Sequence, residues 1–420
     1  MNRTHCGNDD RMNILFVLSG CPGQFEYLIK SLAADSSNRV AVLCHTHDRP
    51  LPACVTVVKY KVSEGKVTAI EDCARESSAA VVAAKRLEEA MSFRPEIIVG
   101  HSGWGGIMYF KAIYPSARLV GYFEWYFCMT PAFKDAWFTN LTPEQTRLFI
   151  TQKNAAMLSQ LESCDACFSP MKWQRDRFPL RYRSKIQVIH EGVDTDYYSP
   201  GPSNITERIP ALRDAKEIIT YVSRGLEPTR CFPVFMEAIR RVLACRPDCH
   251  ILIAGDDKTH YGTESPDGRT WKQIELDRGG FDQDRVHFLG WIAREDYLAL
   301  LRASTVHVYL TLPFVLSWSF MQSMSVGCCL ISSATPPVQE VLRDGENGLL
   351  SDIRSPENVA DRICEALSDT SLRRRIGVAA RETILRDYRL EDCLRRQKEL
   401  LFSGESDEPA IFSAGEEDRS

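Results

Sequence analysis

The chain has 420 residues, 44% of them apolar and 25% charged, with a formal net charge of −5. That length exceeds one ordinary core and implies two domains, and the composition is that of a soluble globular protein. The acidic balance gives no bulk attraction to nucleic acid or to an anionic membrane. No apolar run approaches the roughly 20 residues that cross a bilayer, so any membrane contact is expected to be peripheral.

Residues 1–11, MNRTHCGNDDR, read as a flexible N-terminus without the apolar stretch of a secretion signal. Together with 15 cysteines, an odd number, this predicts reduced thiols and a cytoplasmic protein. Cys164 and Cys167 form a lone CxxC without a second pair at zinc spacing, and they read as small core residues.

Strand and helix signals then alternate. MNILFVLS (12–19) is a strand, and the loop SGCPGQF (19–25) follows it into a helix. Gly20 and Gly23 let backbone approach a ligand there, and the helix start favours an anion. A strand at 39–45, a long helix at 77–93 and a strand at 96–103 come next. The last ends in GHSGWGG, where His101 is a candidate general base or a donor to a sugar. In YFEWYF (122–127), Glu124 stands among five aromatics, so it must be paired or face a ligand. Aromatic faces beside a carboxylate suit a sugar ring. Further strand signals lie at 166–170 and 185–193. A stretch rich in Pro, Ser and charge, 198–216, reads as a linker.

The second series opens with the strand EIITYVSRG (217–225) and the loop carrying Arg224 and Arg230. Two guanidinium groups beyond a strand's carboxyl end suit a diphosphate. Strands follow at 249–257, 285–292 and 306–311, with helices between them. PFVLSWSFMQSMSVG (313–327) reads as a loop entering a helix. Ser317 is its expected N-cap, and the backbone N–H groups around Ser317 and Ser319 suit an anion. The chain looks helical from 355 to about 402 and ends in an acidic Gly/Ser-rich tail, 403–420, expected to be disordered.

This βα alternation predicts two doubly wound parallel sheets whose ligands lie beyond the carboxyl ends of the strands. Neither a P-loop nor a Ser-His-Asp arrangement is visible, and the DTD at 194–196 sits where the linker starts. The residues alone define a two-domain α/β protein with an anion site in its cleft. That class includes glycosyltransferases, phosphorylases and epimerases.

The order of the motifs adds to this. CPGQF, VIHEGVDTDYYSP, YVSRGLEPTR, ILIAGDD, RVHFLGWI, PFVLSWSFMQSMSVG and PVQEVLRDGENGLL occur in turn. Over residues 12–400 the chain resembles the family-4 glycosyltransferases, with two Rossmann-like domains facing across a cleft in the GT-B arrangement. The resemblance implies an acceptor domain at 12–197, a nucleotide-sugar domain at 217–385, and a C-terminal helix at 386–402 crossing back to the first. It implies a retaining reaction without a metal, a nucleotide-sugar donor that is substrate rather than cofactor, and a glycan or lipid-linked glycan acceptor. Donor contacts would come from Gly20, Gly23, Arg224, Arg230, Gly255, Ser317, Ser319 and Gln322. His101 and Glu124 would face the acceptor or the sugar.

Of the family's two glutamates eight residues apart, the second matches Gln322, placed to read the ribose, and the first falls on Phe314. The glycine usual after Arg230 is Cys231. A protein or modified DNA acceptor is an alternative, with the basic stripe KWQRDRFPLRYRSK (172–185) as the contact; nucleic acid is the less favoured partner. A degenerate, non-catalytic binding protein is another, motivated by Phe314 and Gln322.

Overall fold

The computed structural model describes residues 11–65, 67–128, 141–213 and 215–403. The N-terminus expected to be flexible, up to residue 10, and the expected acidic tail, from 404, lie outside the described residues. The chain divides into two compact units. Of the described residues, the first comprises those within 11–128, 147–191 and 391–403, and the second those within 141–146 and 192–390.

The first unit holds β1 (Met12–Val17), β2 (Gly20–Cys21), β3 (Asn38–Cys44), β4 (Thr46–His47), β5 (Thr56–Lys59), β6 (Ile97–His101), β7 (Arg118–Tyr122), β8 (Ala166–Ser169) and β9 (Ile186–Val188). β2 and β4 form a small pair; the others form one parallel sheet in the order β5-β3-β1-β6-β7-β8-β9. β1 is apolar and buried from Ile14 to Val17 because helices cover both faces of such a sheet. Ile14 pairs Val40 on one side and Ile97 on the other. The chain builds outward from β1 through β3 to β5, then returns to lay β6 on the other side of β1. That reversal leaves a crevice at the carboxyl ends of β1 and β6.

The second unit repeats the plan with β10 (Glu217–Gly225), β11 (Cys249–Asp256), β12 (Val286–Gly290), β13 (Val306–Tyr309), β14 (Leu330–Ser333) and β15 (Leu349–Ser351). Its order is β12-β11-β10-β13-β14-β15. Here the reversal, and so the crevice, falls between β10 and β13.

Helices α1 (Glu26–Ala33) and α2 (Ala69–Met91) belong to the first unit. α2 begins eight residues before the sequence suggests, and the reason is a capping box. The Thr68 hydroxyl accepts from the Glu71 N–H, and the Glu71 carboxylate accepts from the Thr68 N–H at 2.8 Å. Helix α3 (Pro143–Ser163) was not expected at all, because its apolar residues gather on no single face. In the second unit come α4 (Phe232–Cys245), α5 (Trp318–Val326), α6 (Pro356–Ser368) and α7 (Thr370–Asp387).

Helix α8 (Leu390–Phe402) ends the described chain, so the helical stretch after 355 is three helices. Its Leu400 and Leu401 bury with Ile14 and Phe16, and its Gln397 donates to the His190 carbonyl at 2.9 Å. The stretch 198–216, read as a linker, is packed in part. It carries helical turns at Ile205–Arg208 and Pro210–Leu212, and buries Ile205 and Leu212. Two apolar anchors within a polar composition are enough to fold it down.

Candidate functional site

In the second unit the crevice is lined by the loop after β10 and the loop after β13. β10 ends at Gly225, whose hydrogen has no room to become a methyl: a Cβ there would lie 2.6 Å from the Lys258 carbonyl. Gly255 of β11 is equally constrained, 2.5 Å from the Ser223 carbonyl. It supports the loop from beneath by close backbone packing.

Glu227, fully buried, ties this loop to the one after β11. Its Oε2 accepts from the N–H groups of His260, Tyr261 and Gly262 at 2.9, 3.0 and 3.2 Å, while Oε1 has no hydrogen-bond partner. A buried carboxylate is held in place by such charge-assisted bonds. Sequence reasoning missed it. Its only signal was a lone acid between two arginines in SRGLEPTR.

Tyr261, so placed, meets both arginines. The Arg224 guanidinium lies 5.7 Å from its ring centre and that of Arg230 5.4 Å. The two arginines differ in every other respect. Arg224 is exposed, and its one side-chain hydrogen bond among the described residues goes to the Tyr261 hydroxyl, at 3.4 Å.

Arg230 is 4% exposed. Its Nη1 lies 3.0 Å from the Tyr309 hydroxyl, 2.8 Å from Thr311 Oγ1 and 3.1 Å from the Val315 carbonyl. The rings of Tyr261, Tyr309 and Phe314 box it in, Phe314 at 5.4 Å. Phe314, where the family has a glutamate, is therefore a wall of the arginine's cage. Arg230 makes no ion pair among the described residues; the Glu227 charge reaches it only at longer range. The expectation that both arginines project past the strand is thus corrected for Arg230, which is anchored within the crevice wall.

The residue after Arg230 completes the turn. Cys231 adopts φ 52°, ψ 32° as N-cap of α4, the left-handed conformation that glycine takes most easily. Its thiol is buried, which pushes it up to about 12.

Ser317 is the N-cap of α5 by conformation, as expected, but its side chain does not cap. Its hydroxyl pairs with that of Ser319 at 2.5 Å, and its N–H donates to the Tyr309 hydroxyl at 3.0 Å. That N–H is therefore already used, contrary to the expectation that it waits for an anion. Tyr309 becomes the hub joining Arg230 to the start of α5. Gln322 lies on the next turn, half-buried, and its side chain has no hydrogen-bond partner among the described residues.

The first unit's crevice is built from the loops after β1, β6 and β7. Gly23 takes φ 53° with open space where a Cβ would project, and starts the turn into α1; Gly20 lies in β2 beside Thr46. Gln24 Nε2 donates to Glu124 Oε1 at 3.3 Å. His101, at the end of β6 and 7% exposed, stands 3.2 Å from Glu124 Oε2 through Nε2. Its Nδ1 accepts the Gly103 N–H at 3.0 Å. That acceptance assigns the proton of neutral His101 to Nε2, which donates it to Glu124.

Both ring nitrogens are engaged, so the geometry favours a donor and positioning role over the general base read from sequence. Behind them Tyr122 is fully buried and donates its hydroxyl to Glu191. Burial first, then the Glu191 charge, raises its pKa and keeps it protonated. Gln24 is the residue missed here; it is the last polar position of CPGQF, too common a type to single out. Cys164 and Cys167 are buried core thiols, and no cluster of three metal-ligating side chains occurs among the described residues. No described helix is long and apolar enough to cross a membrane.

Of the residues read from sequence, Arg224, Arg230, Gly255, Ser317, Ser319 and Gln322 lie in the second unit, and Gly20, Gly23, His101 and Glu124 in the first. Comparison with known proteins follows the same division. The glycosyl transferase family 4 group matches residues 36–198, and the glycosyl transferases group 1 match residues 204–383. Among curated relatives, a D-inositol 3-phosphate glycosyltransferase of Mycolicibacterium smegmatis is 26% identical over 185 residues, 44% of this chain and 40% of that protein. An N-acetyl-alpha-D-glucosaminyl L-malate synthase of Bacillus anthracis is 22% identical over 218 residues, 52% of this chain and 53% of that protein. The matches thus span about half the length of those relatives.

Two solved structures share the fold throughout. A glycosyltransferase of Rickettsia africae has a TM-score of 0.69 at 17% identity, covering 93% of this chain and 98% of its own. Anabaena HepE in complex with UDP-glucose has a TM-score of 0.69 at 18% identity, covering 94% of this chain and all of its own. The fold is the GT-B fold, shared with solved glycosyltransferases.

Proposed function

Because this chain belongs to the family-4 glycosyltransferases, we propose that it transfers a sugar, with retention of configuration, from a nucleotide-sugar donor to a glycan or lipid-linked glycan. One observation carries the donor site. Arg230 is a buried guanidinium at the β10/β13 crevice with hydroxyls, a carbonyl and rings around it but no ion pair among the described residues. A cation taken out of water is costly until an anion joins it. The diphosphate of a nucleotide sugar supplies that charge, with Arg224 closing on it from the exposed side. Gln322, whose side chain is uncommitted, bonds the ribose hydroxyls as both acceptor and donor. HepE, of the same fold, was solved with UDP-glucose, which supports this class of donor.

In the reaction the bond from the anomeric carbon to the diphosphate oxygen breaks. The acceptor hydroxyl oxygen bonds to that carbon on the same face, and its proton passes to the departing diphosphate. The protein's part is to place the reactants and to stabilise the negative charge that develops on the leaving group. His101 and Glu124, fixed by Gln24 and the Gly103 N–H, serve as donor and acceptor for hydroxyls of sugar or acceptor. No cofactor is invoked, and the site of action proposed is cytoplasmic.

The test is thermal unfolding of the full chain and of Arg224→Ala with UDP, GDP, ADP, dTDP and CDP. At about 100 times its Kd, the cognate diphosphate adds about 2.7 kcal/mol, a Tm rise of about 5–10 °C. The variant, its Kd raised about 5–10-fold, should lose about a third to a half of the rise. No rise with any diphosphate would transfer the reading to a non-catalytic binding protein. NMR of the product linkage against the donor anomer then checks retention.

A further inference from the structure

We propose that Cys245 and Cys364 form an oxidation-sensitive thiol pair that closes into a disulfide between α4 and α6. Their Sγ atoms lie 3.8 Å apart although the residues are 119 positions apart in sequence. Cys245 is the last residue of α4 and is exposed; Cys364 sits half-buried on α6. The two helices pack along each other in the second unit, and Val242 and Ile363, neighbours in sequence of the two thiols, share its core. The thiols therefore meet at the rim of a rigid interface rather than on mobile loops. A bond of about 2.05 Å asks the sulfurs to approach by less than 2 Å, within the reach of side-chain rotation and a small backbone adjustment.

The surroundings support a division of roles. Cys245 is open to solvent, where an oxidant arrives first. Cys364 is pushed up to about 11 by burial and by its hydrogen bond to Cys245, so it suits the second, resolving step. The nearby Cys249 is fully buried and pushed up to about 12, which keeps it out of the exchange. Arg246, beside the pair, donates to the Cys364 carbonyl at 3.2 Å and to the Ser368 hydroxyl, which holds the end of α4 against α6.

With a peroxide as oxidant, the Cys245 thiolate displaces hydroxide from the O–O bond and becomes a sulfenic acid. The Cys364 sulfur then attacks that sulfur, forming the S–S bond and releasing the oxygen as water. Overall two thiols and one hydrogen peroxide give one disulfide and two waters. The inference is independent of the donor site: it needs only the packing of the two helices.

The full chain is treated with hydrogen peroxide, alkylated, digested and mapped by mass spectrometry without reductant. The expected product is one linked peptide pair joining Cys245 to Cys364, absent after dithiothreitol and absent in Cys245→Ser and in Cys364→Ser. Oxidation should also raise Tm by about 5 °C in the parent and leave both variants unmoved. Cys54, exposed on the first unit with its sulfur against the Ala33 carbonyl, is the internal reference for a thiol that oxidises without a link. Overoxidation of Cys245 at the same rate as Cys54, with no linked pair, would overturn the proposal. So would a link from Cys245 to any other cysteine.

Discussion

The two units open in the same way and end in opposite chemistry. Each begins with a buried strand, β1 or β10, then a short loop, then a helix. Each loop contains one residue in the left-handed conformation, Gly23 at φ 53° and Cys231 at φ 52°. Each opens on a crevice where the strand order reverses. In the first unit the charged group is a carboxylate, Glu124, already receiving Gln24 and His101. In the second it is the guanidinium of Arg230, which has hydrogen bonds but, among the described residues, no counter-charge in contact. A satisfied carboxylate suits uncharged hydroxyls; a buried cation suits a phosphate. The scaffold provides the crevice, and a few loop side chains decide what enters it.

The largest expected effect concerns the brace behind the cation. Glu227→Ala strips a buried acceptor from the N–H groups of His260, Tyr261 and Gly262 and should lower the unfolding free energy by about 3–4 kcal/mol. Urea unfolding checks this, and Glu227→Gln, which keeps one carbonyl, should lose less. An Ala variant as stable as the parent would mean the loop at 260–262 stands without it.

Next comes the cation itself. Arg230→Met should raise the Kd for the cognate nucleoside diphosphate by about 30–100-fold, some 2–3 kcal/mol, measured calorimetrically. Arg224→Ala, at the solvent-exposed side, should cost only about 5–10-fold. The reverse order would move the anion's seat to the surface and undo the contrast between the units.

Glu124→Gln probes the other crevice. It should reduce kcat/KM by about 10-fold while leaving the nucleotide Kd within about twofold, since it removes a charged acceptor for hydroxyls alone. Loss of nucleotide binding in that variant would contradict a division of labour between the crevices.

What could be read from the chain beforehand follows a physical divide. β1, β3, β10 and β11 were plain because a strand covered on both faces carries a continuous, mostly apolar run. The loops with Arg224, His101 and Glu124 followed, since ligands gather where such strands end. Helix α3 was hidden because it lacks a single apolar face, and the start of α2 because it rests on one capping pair. Glu227 and Gln24 were not found because their importance lies in partners 33 to 35 and 100 positions away. The burial of Arg230 could not be inferred from its neighbours in sequence, for Tyr261 comes from the loop after β11 and Tyr309 and Phe314 from β13 and the loop after it. Spacing shows where a charge can stand, but only packing shows whether it is exposed like Arg224 or enclosed like Arg230.

The smallest prediction tests the shared turn. A non-glycine residue held at positive φ costs about 1 kcal/mol, which glycine avoids. At Cys231 the comparison must remove the thiol in both variants, because that side chain is buried in the core. Cys231→Gly should therefore be more stable than Cys231→Ala by about 0.5–1 kcal/mol, the gain being trimmed by glycine's greater freedom in the unfolded chain. Gly23→Ala should lose a similar amount, although a Cβ at that position meets nothing within 4 Å. Equal stability of the two Cys231 variants, with a loss at Gly23, would show that α4 and its packing hold the second turn in place where glycine alone serves the first.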